Sequence, residues 1–276
     1  MNGKTLIFLD IDGTLTIPGC SEPPAGAMEA VRRAQRAGRR VFLSSGRSLG
    51  MLSPLLRLGF DGAVASAGGY VLCGGEVLYD HPMTQAQLDT ARSTLSRRGV
   101  FHILEAKDGA YAWGDMADLL LNGGTGDSEL LRWQRAFQQE LGVRPIQEYD
   151  GRPIYKIVCM YREEEQLEEA RALLERDFQF CGQSIPSHGW RNTELINRAF
   201  DKGRAAALVC RHFAMDLQDA AAFGDGPNDM EIIKAAGTGV AMGNACPELK
   251  EAADVICPPV EKNGLAEGFR MLGLLD

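Results

Sequence analysis

LIFLDIDGT, residues 6–14, joins four consecutive apolar residues to a pair of aspartates. Because the run Leu6–Leu9 is continuous rather than alternating, it predicts a strand that is covered on both faces and lies at the centre of a sheet. Ligands of open α/β sheets bind outside the carboxyl ends of the strands, so Asp10 and Asp12 should reach a binding crevice. Two close carboxylates repel unless a cation lies between them or one holds a proton, although a solvated Asp-Gly turn would show the same residues.

The segments around this strand predict an α/β fold with a doubly wound parallel sheet. Met28, Val31 and Ala34 form one apolar stripe of a helix that ends near Gly38, and the apolar run 41–43 follows it. Such alternation of helix and strand is typical of βαβ units. Further strands of the same sheet are predicted at 63–66, 194–196, 220–223, 239–242 and 254–256.

The middle of the chain has a different pattern. Segments 70–73 and 76–79 flank two glycines and predict a β-hairpin. The residues beyond it combine helical patterns with turns typical of an antiparallel sheet. We therefore expect residues 1–81 and 189–276 to form a discontinuous Rossmann-like core, and residues 82–188 to form an inserted α+β domain that lies over it.

A second acidic cluster lies in Gly224–Asp229, directly after the apolar run 220–223 and before a predicted helix. Its aspartates, Asp225 and Asp229, are expected at the same sheet edge as the first pair. Asp229 could instead serve only as a helix N-cap, but that interpretation leaves Asp225 unexplained. Hard oxygen ligands from two separate strand ends suit a magnesium ion.

Two smaller signals lie between the acidic clusters. Ser44–Arg47 follows the second predicted strand, where a hydroxyl and backbone N–H groups at a helix start can bind phosphate. Lys202 stands at the start of a predicted helix, where the helix dipole favours anions over cations. A bound phosphate would resolve that conflict, and an exposed surface lysine is the alternative.

These segments, in this order, resemble the motifs of the haloacid dehalogenase-like hydrolase superfamily. Asp10–Thr14 is similar to its first motif, Ser45 in Ser-Gly-Arg to its second, and Lys202 to its third. Gly224–Asp229 is similar to its fourth motif, and Val240–Ala245 to a segment typical of the Cof-type branch. That branch carries a large α+β cap between the second and third motifs, so the resemblance implies a capped α/β core whose cap sets substrate specificity.

The resemblance implies a magnesium-dependent phosphatase that acts on a small phosphorylated metabolite, with a sugar phosphate as the first expectation. Asp10 would attack phosphorus and form an aspartyl-phosphate, while Asp12 would protonate the leaving oxygen and later activate water. The residues implied to hold the metal are Asp10, Asp12 through its backbone carbonyl, Asp225 and Asp229. Those implied to bind or support the phosphoryl group are Ser45, Gly46, Lys202 and Asn228.

The chain departs from the Cof-type pattern at Ala67, where many relatives have Asn before the glycine, and two other functions stay open. A phosphomutase of the same superfamily would pass the phosphoryl group to a second sugar oxygen instead of water. A regulator that binds a phosphorylated metabolite without turnover would keep the same fold. The presence of Asp10, Asp12, Lys202 and Asp225 argues against the regulator.

The composition excludes several classes of protein. With 276 residues, of which 45% are hydrophobic and 24% charged, the chain can bury a full core without disulfides. A formal net charge of −8 argues against a nucleic-acid backbone as the partner. The apolar run before Asp10 is too short for a signal peptide, and no run is long enough to cross a bilayer. We therefore expect a cytoplasmic enzyme with reduced cysteines, as a monomer or a homodimer.

Overall fold

The computed structural model describes residues 6–114, 142–184 and 190–275, and the chain divides into two compact units. The first unit is formed by Met1–Asp80 together with Phe200–Asp276, and the second by His81–Ala199. The predicted boundary between residues 188 and 189 lies outside the described residues. In the structure the chain returns to the first unit at Phe200.

Strands and α-helices alternate in the first unit, whereas strands predominate in the second. In chain order they are β1 (Leu6–Leu9), α1 (Ala25–Arg36), β2 (Arg40–Ser44), α2 (Leu49–Leu56), β3 (Gly62–Ala65), β4 (Tyr70–Cys73), β5 (Glu76–Asp80), α3 (Gln85–Arg97), β6 (Phe101–Ala106), β7 (Ala110–Trp113), β8 (Val143–Pro145), β9 (Ile154–Tyr161), α4 (Glu168–Leu174), β10 (Phe178–Ser184), β11 (Arg191–Asn197), α5 (Lys202–His212), β12 (Ala220–Gly224), α6 (Met230–Ala235), β13 (Thr238–Ala241), α7 (Pro247–Ala252), β14 (Val255–Ile256) and α8 (Gly264–Met271). Among the residues that the structure describes, no helix is both long and apolar enough to span a lipid bilayer.

The sheet of the first unit has the strand order β14-β13-β12-β1-β2-β3-β4-β5. Its strands from β14 to β3 are parallel, whereas β4 and β5 add the predicted hairpin in antiparallel pairing. β1 lies between β12 and β2, and all of its residues are buried. The predicted α/β fold and the central position of Leu6–Leu9 are therefore confirmed.

Helices cover both faces of this sheet. On one face, Leu6 and Phe8 of β1 pack in a core with residues of α5, α6 and α7. On the other, Phe223 of β12 contacts Phe269 of α8, with ring centroids 5.2 Å apart. Because alternate residues of a strand point to opposite faces, a strand covered on both sides needs apolar residues throughout.

The second unit contains a sheet with the strand order β10-β11-β9-β6-β7-β8, in which only the β7–β8 pair is parallel. Helix α3 begins with a capping box between Thr84 and Gln87, which satisfies N–H groups at its first turn. Its buried residues Leu88 and Leu95 share a core with Leu104 of β6 and with residues of α4. This unit is the α+β structure that the middle of the sequence indicates.

One predicted strand was assigned to the wrong sheet. The segment 194–196 lies in β11, which pairs antiparallel with β9 and β10 in the second unit and not with the parallel strands of the first. A short apolar run carries no information about the direction of its neighbours. The prediction of a parallel strand at this position is therefore wrong.

His102 of β6 is a fully buried titratable group in the second unit. Its Nδ1 lies 3.0 Å from the carbonyl oxygen of Val100, and its ring stacks on Trp113 with centroids 5.3 Å apart. Burial lowers the pKa of His102 from 6.5 to about 4. The folded chain therefore keeps this imidazole neutral at pH values where the unfolded chain protonates it.

We expect the free energy of unfolding to decrease by up to about 3 kcal/mol because of His102 as the pH falls from about 6.5 to about 4. In that window the unfolded state binds a proton at His102 that the folded state does not, so stability rises with pH. Urea unfolding at several pH values should show a smaller slope for His102→Asn than for the wild type. His212→Asn, at an exposed residue of α5, is the control and should leave the slope unchanged. An equal slope in His102→Asn and the wild type would contradict the assignment.

Candidate active site

Three aspartates from two distant parts of the chain meet at the carboxyl edge of the parallel sheet. Asp10 follows β1 and Asp225 follows β12, and the Asp10 N–H donates to the carbonyl oxygen of Phe223 at 3.0 Å. Carboxylate oxygens of Asp10, Asp225 and Asp229 all lie within 4.8 Å of one another. The pairing of β1 with β12 thus brings the first and fourth sequence motifs together.

Lys202 lies between two of these carboxylates. Its Nζ donates to Oδ1 of Asp10 and to Oδ1 of Asp229, each at 2.6 Å. Only 1% of the residue is exposed, so the alternative of an exposed surface lysine is wrong. At the start of α5, Asp201 supplies the N-cap and accepts from the Arg204 N–H at 2.7 Å. The two buried carboxylates compensate the unfavourable position of a cation at this helix end.

The cluster carries more negative charge than one ammonium group can balance. Burial raises the pKa of Asp10 to about 8, with a further increase from Asp229 and an opposing effect of Lys202. Burial likewise raises the pKa of Asp225 to about 6. Burial lowers the pKa of Lys202, but the carboxylates of Asp10 and Asp229 outweigh it and hold the pKa above its ordinary value. A set of oxygen donors with surplus negative charge fits a hard divalent cation such as Mg²⁺.

Asp229 is fixed through both of its carboxylate oxygens. Its Oδ2 accepts from the N–H groups of Asp225 and Gly226, each at 3.1 Å, and its Oδ1 accepts from Lys202. These N–H groups precede the carboxylate in the chain, and its side chain makes no cap hydrogen bond to the described residues of α6. Asp229 therefore occupies the N-cap position of α6 without capping the helix through its side chain, so a capping role does not account for its contacts. Asn228, in the same turn, is exposed.

Asp225 is held by residues from the first motif and from the segment after β13. Thr14 Oγ1 donates to Asp225 Oδ1 at 3.3 Å, and Asn244 Nδ2 donates to Asp225 Oδ2 at 3.3 Å. Asn244 also donates to the Gly13 carbonyl oxygen at 2.8 Å and accepts from the Val260 N–H at 2.9 Å. The place of Asn244 in the Cof-type segment does not by itself predict this contact.

Gly13 is required by the close approach of the two acidic clusters. Its φ is +84°, and a Cβ at this position would lie 2.1 Å from Asp225 Oδ2. Any larger residue would push that carboxylate away from its partners. Gly13 therefore has two structural roles: it adopts the positive φ of its own turn, and it leaves space for the Asp225 carboxylate of the fourth motif.

The Asp12 side chain lies apart from the three close carboxylates. Its carboxylate is half exposed and accepts from Arg47, with Nη2 2.5 Å from Oδ1 and Nε 3.0 Å from Oδ2. If Asp12 binds the metal, it would therefore do so through its backbone carbonyl, as the sequence resemblance implies. The sequence places Arg47 in Ser-Gly-Arg, but that motif alone does not predict its contact with Asp12.

Ser45 and Gly46 lie in the turn after β2. Ser45 is buried, its N–H donates to the Val64 carbonyl oxygen at 2.8 Å, and its Oγ accepts from the Arg47 N–H at 3.2 Å. Gly46 is half-buried, and a Cβ added to it would meet nothing within 4 Å. The space at the Cβ position of Gly46 is therefore open.

Ala67 occupies a left-handed backbone conformation. Its φ is 58° and that of Ser66 is 49°, values that favour Asn or Gly over other residues. The Ala67 N–H donates to the Ser45 carbonyl oxygen at 3.0 Å, which ties the end of β3 to the Ser45 turn. The Asn that the Cof-type pattern predicts here would suit this backbone, and Ala67 adopts the same conformation at a cost in strain.

A sequence model of haloacid dehalogenase-like hydrolases matches residues 7–269, so the chain belongs to this family. YkrA of Bacillus subtilis (strain 168) is 30% identical over 272 residues, which cover 98% of each chain. From the same organism, 5-amino-6-(5-phospho-D-ribitylamino)uracil phosphatase YwtE is 28% identical and covers 94% of this chain and 95% of its own.

Solved structures show the same fold. A haloacid dehalogenase-like hydrolase from B. subtilis has a TM-score of 0.78 and 25% identity, and covers 97% of this chain and 99% of its own. The subclass IIB sugar phosphatase BT4131 has a TM-score of 0.75 and 23% identity, and covers 98% of this chain and 99% of its own. The haloacid dehalogenase-like family predicted from the sequence is therefore confirmed.

We expect Lys202→Met to lower the free energy of unfolding by about 3–5 kcal/mol at neutral pH without added metal, because two buried carboxylates lose their cation. Urea unfolding measures the change, and MgCl₂ should restore part of it by binding to the folded state. Lys234→Met, at an exposed residue of α6, is the matched control and should change stability by less than about 0.5 kcal/mol. Equal stability of Lys202→Met and wild type would contradict the electrostatic role.

We expect Ala67→Gly to raise the free energy of unfolding by about 1 kcal/mol. The left-handed conformation strains an alanine, and its relief exceeds the entropy that a glycine gains in the unfolded chain. Ala63→Gly, in the extended strand β3, is the control and should lower stability. Loss of stability in both variants would show that residue 67 is not strained.

Proposed function

We propose that the chain is a magnesium-dependent phosphatase that hydrolyses a small phosphorylated metabolite through an aspartyl-phosphate at Asp10. The observation that carries this proposal is the position of Asp10, which shares a site with Asp225 and Asp229 and accepts from Lys202. A carboxylate beside a buried ammonium and two further carboxylates, at the carboxyl edge of a parallel sheet, suits nucleophilic attack on a phosphoryl group.

The metal would be held by the carboxylates of Asp10 and Asp225 and the backbone carbonyl of Asp12, with Asp229 beside them. When bound, Mg²⁺ would supply the positive charge that lets phosphoryl oxygens approach this acidic cluster. Lys202 adds a second positive charge next to Asp10. The predicted phosphate ligands Ser45 and Gly46 would contribute a hydroxyl and a backbone N–H.

In the first half-reaction, a carboxylate oxygen of Asp10 attacks phosphorus and the bond from phosphorus to the leaving oxygen breaks. Asp12 gives its proton to that oxygen, so the metabolite leaves as an alcohol. In the second, the Asp12 carboxylate takes a proton from water, the water oxygen bonds to phosphorus, and the aspartyl ester bond breaks. Asp10 is regenerated and phosphate leaves, so catalysis depends on positioning and on charge neutralisation.

The substrate class is proposed from the relatives. YwtE is named for a phosphorylated ribitylaminouracil, which carries its phosphate on a polyol chain. A sugar phosphate or a related polyol phosphate is therefore our first candidate, with the second unit as the predicted specificity domain. The predicted cytoplasmic location and the predicted lack of a nucleic-acid partner stay predictions.

Phosphate release from 4-nitrophenyl phosphate in the presence of MgCl₂ tests the proposal. We expect Asp10→Asn to reduce release by a thousandfold or more, on the order expected for loss of a nucleophile. Acid quenching of the wild type during turnover, followed by peptide mass spectrometry, should find phosphate on Asp10. Asp89→Asn, at an exposed residue of α3, removes the same charge elsewhere and should retain full activity.

The same assays separate the alternatives. Binding of metabolite phosphates without phosphate release by the wild type would favour a regulator. Isomerisation of a sugar monophosphate that requires an activating bisphosphate, with no net phosphate release, would favour a phosphomutase. Turnover that is unchanged in Asp10→Asn would exclude every mechanism with a phosphorylated Asp10.

A further inference from the structure

Arg47 holds the Asp12 carboxylate through two parallel hydrogen bonds. Nη2 donates to Oδ1 at 2.5 Å and Nε donates to Oδ2 at 3.0 Å, which is the bidentate geometry that an arginine can form and a lysine cannot. The Asp12 side chain is 54% exposed and that of Arg47 only 20%. The more buried guanidinium therefore fixes the orientation of the more exposed carboxylate.

The backbone of Arg47 is itself held from two sides. Its N–H donates to the Ser45 hydroxyl at 3.2 Å, and its carbonyl oxygen accepts from the Ser66 N–H at 2.8 Å. Ser66 makes this contact from a left-handed backbone conformation, as its φ of 49° shows. The segments that follow β2 and β3 are thus connected by a hydrogen bond at Arg47, and one of its two partners, Ser66, has a strained backbone conformation.

Stability alone does not account for this arrangement. Ion pairs at a protein surface typically stabilise a fold by about 0–1 kcal/mol, and the bidentate contact places Asp12–Arg47 at the upper end of that range. The strain at Ser66 and Ala67 opposes that gain. Strained backbone at the end of a sheet is common where a functional group must be positioned.

We propose that Arg47 is a positioning residue for Asp12, and that it acts mainly in the hydrolysis of the aspartyl-phosphate. This inference rests on the proposed function. Both oxygens of Asp12 accept hydrogen bonds from Arg47, which favours the ionised carboxylate and so its part as a proton acceptor. The step that needs an acceptor is the second one, in which water bonds to phosphorus, the Asp10 ester bond breaks and the water proton passes to Asp12.

Stopped-flow and steady-state kinetics with 4-nitrophenyl phosphate test this role. In Arg47→Ala we expect kcat to fall on the order of a hundredfold, because general base catalysis contributes about that much. The value of kcat/KM, which reports formation of the phosphoenzyme, should change only a few-fold with this good leaving group. The variant should therefore release a burst of 4-nitrophenol close to one equivalent per active site and accumulate phosphorylated Asp10.

Three further measurements sharpen the test. Guanidinium ion should restore part of kcat in Arg47→Ala and not in Asp12→Asn. Arg47→Lys keeps the charge without the bidentate contact and should show the same burst, which provides a second variant if Arg47→Ala folds poorly. Arg40→Ala is the control, because it removes another arginine–aspartate ion pair, Arg40–Asp61. Arg40 begins β2, whereas Arg47 follows the end of this strand, so kcat should be unchanged in Arg40→Ala.

Two outcomes would overturn the role of Arg47. Equal decreases in kcat and kcat/KM without a burst would place Arg47 in phosphoenzyme formation, and an increase in KM alone would make it a substrate ligand. Wild-type turnover through Asp10 in the same experiment would show that only this inference has failed. A wild type that never forms phosphorylated Asp10 would instead refute the proposed function itself.

Discussion

One buried ammonium group between two buried carboxylates is the interaction on which the site depends. Lys202 contacts Asp10 and Asp229 at equal distances of 2.6 Å, and each of these aspartates comes from a different part of the chain. Removal of the ammonium group or of the carboxylates would leave the remaining charges buried without a partner, which is unfavourable. The contacts therefore hold α5, the end of β1 and the turn before α6 together. The surplus negative charge that remains suits a divalent cation, so the same constraint serves folding and the proposed chemistry.

The central strand was predictable because its chemical requirements are unusual. Few positions other than the middle of a parallel sheet need four consecutive apolar residues followed by aspartates, and β1 occupies that position. The convergence of Asp10 and Asp225 followed from one topological rule about the ends of parallel strands. The position of Lys202 was anticipated as an electrostatic conflict at the start of a helix, and its burial shows how the conflict is resolved.

Other features depend on pairings that local sequence does not encode. β11 was assigned to the parallel sheet because an apolar run looks alike in both sheets, and its antiparallel partners are fixed only by the tertiary fold. Asn244 and Arg47 acquire their roles through contacts with Asp225 and Asp12, which lie 19 and 35 positions away in the sequence. Polar residues in turns are common, so their type alone could not single them out.

The split of the first unit across the sequence has a consequence for its synthesis. β1 needs β2 on one edge and β12 on the other, yet β12 emerges from the ribosome long after β2. Until then β1 presents a bare apolar edge, which is a site for mispairing with other nascent chains. The second unit is encoded by one continuous segment, and none of its described strands pairs with β12. We therefore expect the nascent chain to need chaperones most in the interval before β12 is synthesised.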